Sequence, residues 1–308
     1  MTLERAEGSR LAASTAEAAA ALRAAGARER DQRIRGPDEL AARFVSSGPR
    51  LTALVKIPFV RRLAPKLAER ILPGAYWYEI ARVRHMDRIL CEELSAGARQ
   101  LVILGAGFDT RAYRFADRLA RVATFEVDHP ATAALKRERV RTVFGSLPRH
   151  VRYVDADLHA GDLGARLRTA GFSGKLRTHL IWSGVTPYLE AHAVDAVLGW
   201  IAARVRFGSS IVFDYAFREA VEGGDAFYGA QRLRRRLAEA GEPLLFGIPR
   251  GTCAGFLAER GLELVSDLSP EQLERRYLIR GDGRPAGRPY GFVAIAHARV
   301  PYVAVHPA

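Results

Sequence analysis

A run of apolar residues ending in a glycine-bracketed turn, Leu101-Val102-Ile103-Leu104-Gly105-Ala106-Gly107, constrains this chain more than any other feature. Unbroken branched apolar residues lack the alternation of a half-exposed strand and read as a buried strand of a parallel sheet. The glycines then let the backbone turn close to a ligand. A second apolar run, Phe125-Glu126-Val127-Asp128-His129-Pro130, carries an acid at its tip about 20 residues on, where a carboxylate accepts from both ribose hydroxyls. Period two puts Glu126 and Asp128 on one side of that strand. Asp128 lies nearer the crevice, which leaves Glu126 as the solvated strand-end charge. A dinucleotide fingerprint, G-x-G-x-x-G, has a third glycine where this chain has Thr110. The pattern therefore favours a nucleoside ligand without a pyrophosphate, of which S-adenosylmethionine is the commonest. A nucleotide-dependent oxidoreductase on a similarly wound sheet is the alternative.

The 308 residues are 48% hydrophobic, enough to build a sizeable core and too apolar for a disordered chain. No apolar run approaches the roughly 20 residues that cross a bilayer, and the amino terminus has no apolar signal region, so a cytoplasmic placement is expected. Cys91 and Cys253 have no cysteine neighbours and read as small buried hydrophobes, and no metal site is expected. The net charge of +13 raises the question of nucleic acid. Lysine stands only at Lys56, Lys66, Lys136 and Lys175, and the remaining basic residues are arginines scattered through alanine-rich helical segments. Without a zinc finger, a stacking pair of aromatics or a basic arm, the charge has no means of reading bases, and nucleic acid is an unlikely partner.

Helical and extended segments alternate along the chain. Residues 11–30 are alanine-rich and helical in pattern, with Ser14 and Thr15 as candidate caps. Asp38 to Val45 starts another helix, residues 51–72 are amphipathic but broken by Pro58 and Pro65, and Tyr76 to Leu94 forms one long helix. Residues 1–95 thus read as a helical amino-terminal cap on a core spanning 96–308. Strands are expected at Gln100 to Leu104, Val122 to Val127, Val151 to Val154, Thr178 to Trp182 and Ser209 to Asp214, with Leu262 to Ser266 and Gly291 to Ala298 completing seven. Residues 215–250 read as an insertion over the carboxyl edge of the sheet, where ligands bind in open α/β sheets. Cap and insertion would close a chamber from two sides.

Just beyond the third strand, Asp157 can accept from an adenine amino group while Leu158 packs on the ring. A helix cap by one of the aspartates of Asp155-Ala156-Asp157 is the competing reading. The fourth strand runs into Trp182-Ser183-Gly184-Val185-Thr186-Pro187-Tyr188. Ser183 is placed to face the ligand, and Tyr188 and Trp182 each read as pocket or core, Trp182 leaning to core.

Taken together, STAEAAAALR, PDELAARFV, ARVRHMDRIL, LVILGAGFDTRAYR, FEVDHP, DADL and GVTPYLE, in that order over residues 14–298, resemble the leucine carboxyl methyltransferase family in its broad sense, which includes bacterial O-methyltransferases of the polyketide carboxyl methyltransferase type. The resemblance implies a class I methyltransferase fold, a Rossmann-like seven-stranded α/β sheet with a helical cap and an insertion after the fifth strand. It further implies S-adenosyl-L-methionine as cofactor and S-adenosyl-L-homocysteine as product. By the same resemblance Arg82 partners the methionine carboxylate, with Arg23 a second candidate. Gly105, Ala106 and Gly107 approach the methionine and ribose, Asp128 takes the ribose, and Asp157 and Leu158 hold the adenine. Where many relatives carry a glutamate before the Gly-Val of the fourth-strand motif, this chain has Ser183, which hydrogen-bonds but supplies no negative charge. Thr110, Arg111 and Arg114 are expected as local anchors of the first helix.

The acceptor expected from the family is a small anionic or phenolic molecule of bacterial specialised metabolism. A carboxylate is already ionised at pH 7 and needs no general base, whereas a hydroxyl benefits from one. His129, His159, His179 and His192 form no evident catalytic pair, which leans toward carboxyl methylation by positioning alone. Tyr215, Phe217, Arg218 and Tyr228, at the start of the insertion, and Tyr188 are the candidate acceptor contacts: aromatic walls with one cationic anchor. A noncatalytic methyltransferase-like partner protein is the remaining alternative, with Ser183 as its only support.

Overall fold

The computed structural model describes residues 15–45 and 58–302. The candidate cap Ser14 lies outside them. Parallel strands β1 (Gln100–Leu104), β2 (Ala123–Asp128), β3 (Val151–Asp155), β4 (Thr178–Trp182) and β5 (Ser210–Phe217) are followed by the two-residue β6 (Gly247–Ile248), then β7 (Glu263–Leu268) and β8 (Val293–Arg299). Their order is β3-β2-β1-β4-β5-β8-β7, and β6 pairs with the end of β5. Seven of these strands are those expected from the sequence, with ends shifted by a few residues. The eighth, β6, lies inside the segment read as an insertion.

Every residue of β1, β4 and β5 is buried, which is why these strands read as continuous apolar runs. Val102 sits between Phe125 of β2 and Leu180 of β4 in register, and Ile181 faces Val212 of β5. The antiparallel β8 wedges between β5 and β7. Because the chain leaves β1 for β2 on one side and returns to β4 on the other, a crevice opens at their carboxyl ends. The Gly105 turn and the Ser183 turn flank it.

Helix α1 (residues 15–26) precedes a short 3-10 turn at Glu39–Arg43, whose amino end is capped by the Asp38 carboxylate accepting from Ala41 N at 3.0 Å. Helix α2 (Pro58–Ile71) runs through Pro65, so neither expected proline break occurs. Pro58 opens the helix, where an N–H has no partner to lose. Helix α3 (Ala75–Ser95) then leads into β1. It buries Glu79, Arg82, His85, Asp87 and Glu93, because it is enclosed by the sheet on one side and by the helix Pro270–Tyr277 on another. Among the described residues no helix is long and apolar enough to cross a membrane.

Candidate functional site

The turn after β1 needs its glycines for space as well as conformation. Gly105 (φ +59°) and Gly107 (φ +41°) are left-handed. A Cβ on Gly105 would stand 2.4 Å from Val185 Cγ2, and one on Gly107 3.3 Å from the Cβ of Ala16 in α1. Ala106 between them is buried; its N–H donates to Val127 O at 3.0 Å and its carbonyl accepts from Lys136 Nζ at 3.3 Å.

Asp128, at the tip of β2, is only half-buried, and its carboxylate accepts from Gly107 N and, at 2.7 Å, from His129 N. Burial still raises its pKa above the usual carboxylate value, against the effect of those two N–H donors. Glu126 is not the solvated charge expected from the sequence. It is 2% exposed, pairs with Lys136 at 2.7 Å and accepts from Tyr113 Oη at 2.8 Å. Lys136 reaches it from the helix Pro130–Phe144, beneath the glycine turn. Nothing in the sequence marks that lysine, because a basic residue in a charged helix reads as solvated.

Asp157 and Leu158 follow β3, tied to the tip of β2 by Ala156 N donating to Asp128 O at 2.9 Å. The Asp157 carboxylate accepts from His159 N at 2.9 Å, and Leu158 is buried. No aspartate side chain caps the next helix, Leu163–Thr169. Ser183 is half-buried at the end of β4, and Trp182 is fully buried.

Behind Ser183 lies a buried charged cluster. Arg82 Nη1 donates to Asp214 Oδ2 at 2.8 Å, and Arg82 Nη2 donates to Glu79 Oε1 one helical turn earlier in α3. Asp214 also accepts from Tyr78 Oη at 2.7 Å and from Gly184 N at 2.6 Å. The guanidinium presses on the Ser183 turn: a Cβ on Gly184 (φ +70°) would stand 2.5 Å from Arg82 Nη1. Among the described residues, Arg82 Nε and Glu79 Oε2 are buried without partners.

A second cluster fixes the cap to the glycine turn. Arg23 of α1 pairs with Asp38 at 2.9 Å and donates to Phe108 O at 2.7 Å. Asp38 also accepts from Thr110 Oγ1 at 2.6 Å. Arg114 donates to Thr110 Oγ1 at 2.9 Å and pairs with Asp87 of α3 at 2.8 Å; Arg111 pairs with Asp87 at 2.7 Å and with Asp109. Thr110, Arg111 and Arg114 are therefore anchors, but their partners lie across the molecule as well as within the turn. Burial opposes ionisation of Asp109, yet Arg111 and Lys136 hold its pKa down to about 2.

The expected acceptor contacts divide. Strand β5 continues to Phe217 rather than ending at Asp214, so alternation turns Tyr215 away from the face of Asp214. Tyr215 is fully buried, donates to Asp267 Oδ2 at 2.8 Å and packs against Phe213 and Phe217. Its side chain is thus engaged by its ring neighbours and by Asp267 of β7. Phe217 is likewise buried, against Phe227. Arg218 is exposed, with Nε 3.4 Å from Gly247 O. The Tyr228 hydroxyl bonds Glu69 of α2, and burial and that carboxylate push its pKa up to about 12.

Tyr188 closes the short 3-10 turn Thr186–Tyr188 after β4 and is half-buried. Leu245 N donates to the neighbouring Pro187 O at 2.7 Å, which lays the 218–250 segment along this turn. Thr15 of α1 bonds Glu242 of the same segment, so the amino-terminal helix and the insertion meet there.

The strand order, the glycine turn and the acid at the tip of β2 define a Rossmann-like class I methyltransferase fold. The model of the leucine carboxyl methyltransferase family matches residues 16–202, and the chain belongs to that family of S-adenosyl-L-methionine-dependent methyltransferases. A relative from Mycolicibacterium paratuberculosis, named for S-adenosyl-L-methionine-dependent methyl transfer, is 31% identical over 276 residues, covering 86% of this chain and 84% of its own. A Bacillus subtilis protein named for the same activity is 30% identical over 63% of this chain; the match spans 64% of that protein's length. Among solved structures, a protein from Thermobifida fusca described as a methyltransferase superposes with a TM-score of 0.58 at 17% identity, over 79% of this chain and 89% of its own. A DUF574-family protein from Streptomyces avermitilis gives 0.56 at 18%, over 79% and 91%. Family membership sets aside the oxidoreductase alternative.

Proposed function

We propose that the protein methylates an oxygen of a small-molecule acceptor, a carboxylate in preference to a hydroxyl, in bacterial specialised metabolism. The observation that carries the cofactor half of this reading is the Asp128 carboxylate at the tip of β2, held on the Gly107 amide beside two left-handed glycines. These residues fit S-adenosylmethionine: the left-handed glycines keep the turn after β1 free of side chains, and Asp128 keeps acceptor capacity toward ribose hydroxyls. Asp157 and Leu158 would hold the adenine, while Ser183 and the unpartnered Nε of Arg82 would meet the methionine end. Arg23 acts through the cap, since its guanidinium is already committed to Asp38 and Phe108.

When bound, the cofactor supplies a methyl group on a positively charged sulfur, already activated for transfer. The protein's task is to align the acceptor and exclude water. Helix α1 and the 218–250 segment would cover the crevice for that purpose. A carboxylate acceptor suits such a site because it arrives ionised and calls for no proton transfer. The buried His85 and His179 are far from this role: His85 bonds Tyr277 and His179 bonds Ser210, at the opposite end of β4 from Ser183. Tyr188 would form part of the acceptor wall, and Arg218 and Tyr228 would contact the acceptor only at its outer margin.

Calorimetric titration of cofactor-stripped protein with S-adenosylmethionine and S-adenosylhomocysteine tests the first half; binding of neither overturns it. The labelled product of turnover tests the second. An alkali-labile methyl ester is expected, and an alkali-stable ether would move the assignment to a hydroxyl acceptor.

A further inference from the structure

The cluster behind Ser183 is unbalanced. It holds two carboxylates, Glu79 and Asp214, against the single guanidinium of Arg82, and all three side chains are more than nine-tenths buried. Both oxygens of Asp214 are engaged, Oδ1 by Gly184 N and Oδ2 by Arg82 and Tyr78. Glu79 spends only Oε1, on Arg82, while its Oε2 is buried and unpartnered. Arg82 also keeps a buried, unpartnered Nε. Arg82 is the cation that Glu79 and Asp214 share. A buried carboxylate that shares its counter-charge and keeps a spare oxygen is costly unless a donor completes it.

We infer that Glu79 is the recognition residue for the α-ammonium of the cofactor's amino acid end, completing with Arg82 a paired receptor for a zwitterion. An α-amino acid carries its carboxylate and its ammonium on one carbon. Glu79 and Arg82 present the opposite charges side by side, with a free acceptor on one and a free donor on the other. The guanidinium lies against Gly184, next to Ser183, so the receptor sits at the fourth-strand turn that carries no acid of its own. Glu79 thereby supplies from α3 the negative charge that Ser183 cannot. This assignment rests on the proposed S-adenosylmethionine site and specifies its polar end.

The test compares two ligands on one protein. Wild-type enzyme is titrated calorimetrically with S-adenosylhomocysteine and with its analogue lacking the α-amino group, and the measurement is repeated on Glu79→Gln. The wild type is expected to prefer the aminated ligand by about tenfold or more, as a buried charge-assisted hydrogen bond implies. Glu79→Gln should lose most of that preference while binding the deaminated analogue within about twofold of wild type. Because the ratio of affinities is taken within one preparation, it does not depend on the folded fraction. If Glu79→Gln yields no folded protein, Glu79→Asp, with a shorter reach, should narrow the same ratio. Equal affinity of the wild type for both ligands, or an unchanged ratio in the variants, overturns the role of Glu79 while leaving the cofactor site standing. Failure of the wild type to bind either ligand overturns the cofactor reading itself.

Discussion

Two buried ionic clusters flank the glycine turn, and they are built on different plans. In the first, Arg23, Arg111 and Arg114 meet Asp38, Asp87 and Asp109, three cations for three acids. In the second, Arg82 alone serves both Glu79 and Asp214. The closed cluster joins α1, α3 and the turn after β1 into one unit. The other lies against Gly184 at the fourth-strand turn, where the reading proposed above has it receive the cofactor. Charge balance separates the two, since among the described residues each leaves a buried guanidinium nitrogen without a partner.

The sharpest way to break this contrast is to cut the closed cluster. Asp87→Ala strands Arg111 and Arg114 without their shared carboxylate, and removing one partner of a buried pair costs about 3–5 kcal/mol. A Tm lower by roughly 5–15 °C in a thermal scan is expected. Glu126→Ala should fall in the same class, because it leaves the buried Lys136 unpaired.

On the ligand side the expected loss is of affinity. Asp128→Ala should weaken S-adenosylhomocysteine binding by about 10- to 100-fold, corresponding to about 1.5–3 kcal/mol for hydrogen bonds to a charged group. Its Tm without ligand should move by only a few degrees. A large drop in Tm with unchanged affinity would reassign Asp128 to the scaffold.

A third set of buried polar groups extends the comparison to neutral side chains. Burial pulls the pKa of His85 and of His179 down to about 3. Above pH 6.5 both are neutral whether the chain is folded or not, and no linkage cost arises. Below that value the unfolded chain takes up protons that the folded chain refuses until about pH 3, so stability falls with pH across this window. Each histidine contributes up to about 1.4 kcal/mol per pH unit. Urea unfolding at pH 7, 6 and 5 should show the decline, and His179→Gln should make it shallower.

The smallest expected effect distinguishes the two faces of β5. Tyr215→Phe removes the donor to Asp267 at the rear of the sheet and should cost about 1 kcal/mol of stability. Acceptor KM, measured on the same protein, should not change. A raised KM at constant stability would return Tyr215 to the acceptor site.

The sheet was legible because its strands are buried on both faces and bounded by glycine turns. The Gly105 turn and Asp128 were legible because few residue types fit those positions. What escaped the sequence has common causes. Asp38, Asp87 and Lys136 sit on or beside helices, where charges ordinarily meet water, and only tertiary packing reveals that they do not. Glu126 escaped because its partner is ten residues away on the next helix, so the strand alone showed an isolated acid. The end of β5 was placed too early because the strand continues three residues past Asp214 before the chain turns, and a strand end cannot be read from apolar residues that continue through it.

The close approach of Ala16 to Gly107 gives the alanine-rich start of the chain a mechanical meaning. Ala16, Ala20 and Ala24 recur every four residues along α1; Ala20 and Ala24 are buried, and Ala16 is what a side chain on Gly107 would meet. A methyl is the shortest side chain that still favours a helix, so α1 lies close over the turn without giving up helical preference. The helix and the turn thus each limit the size of side chain the other can carry at this point.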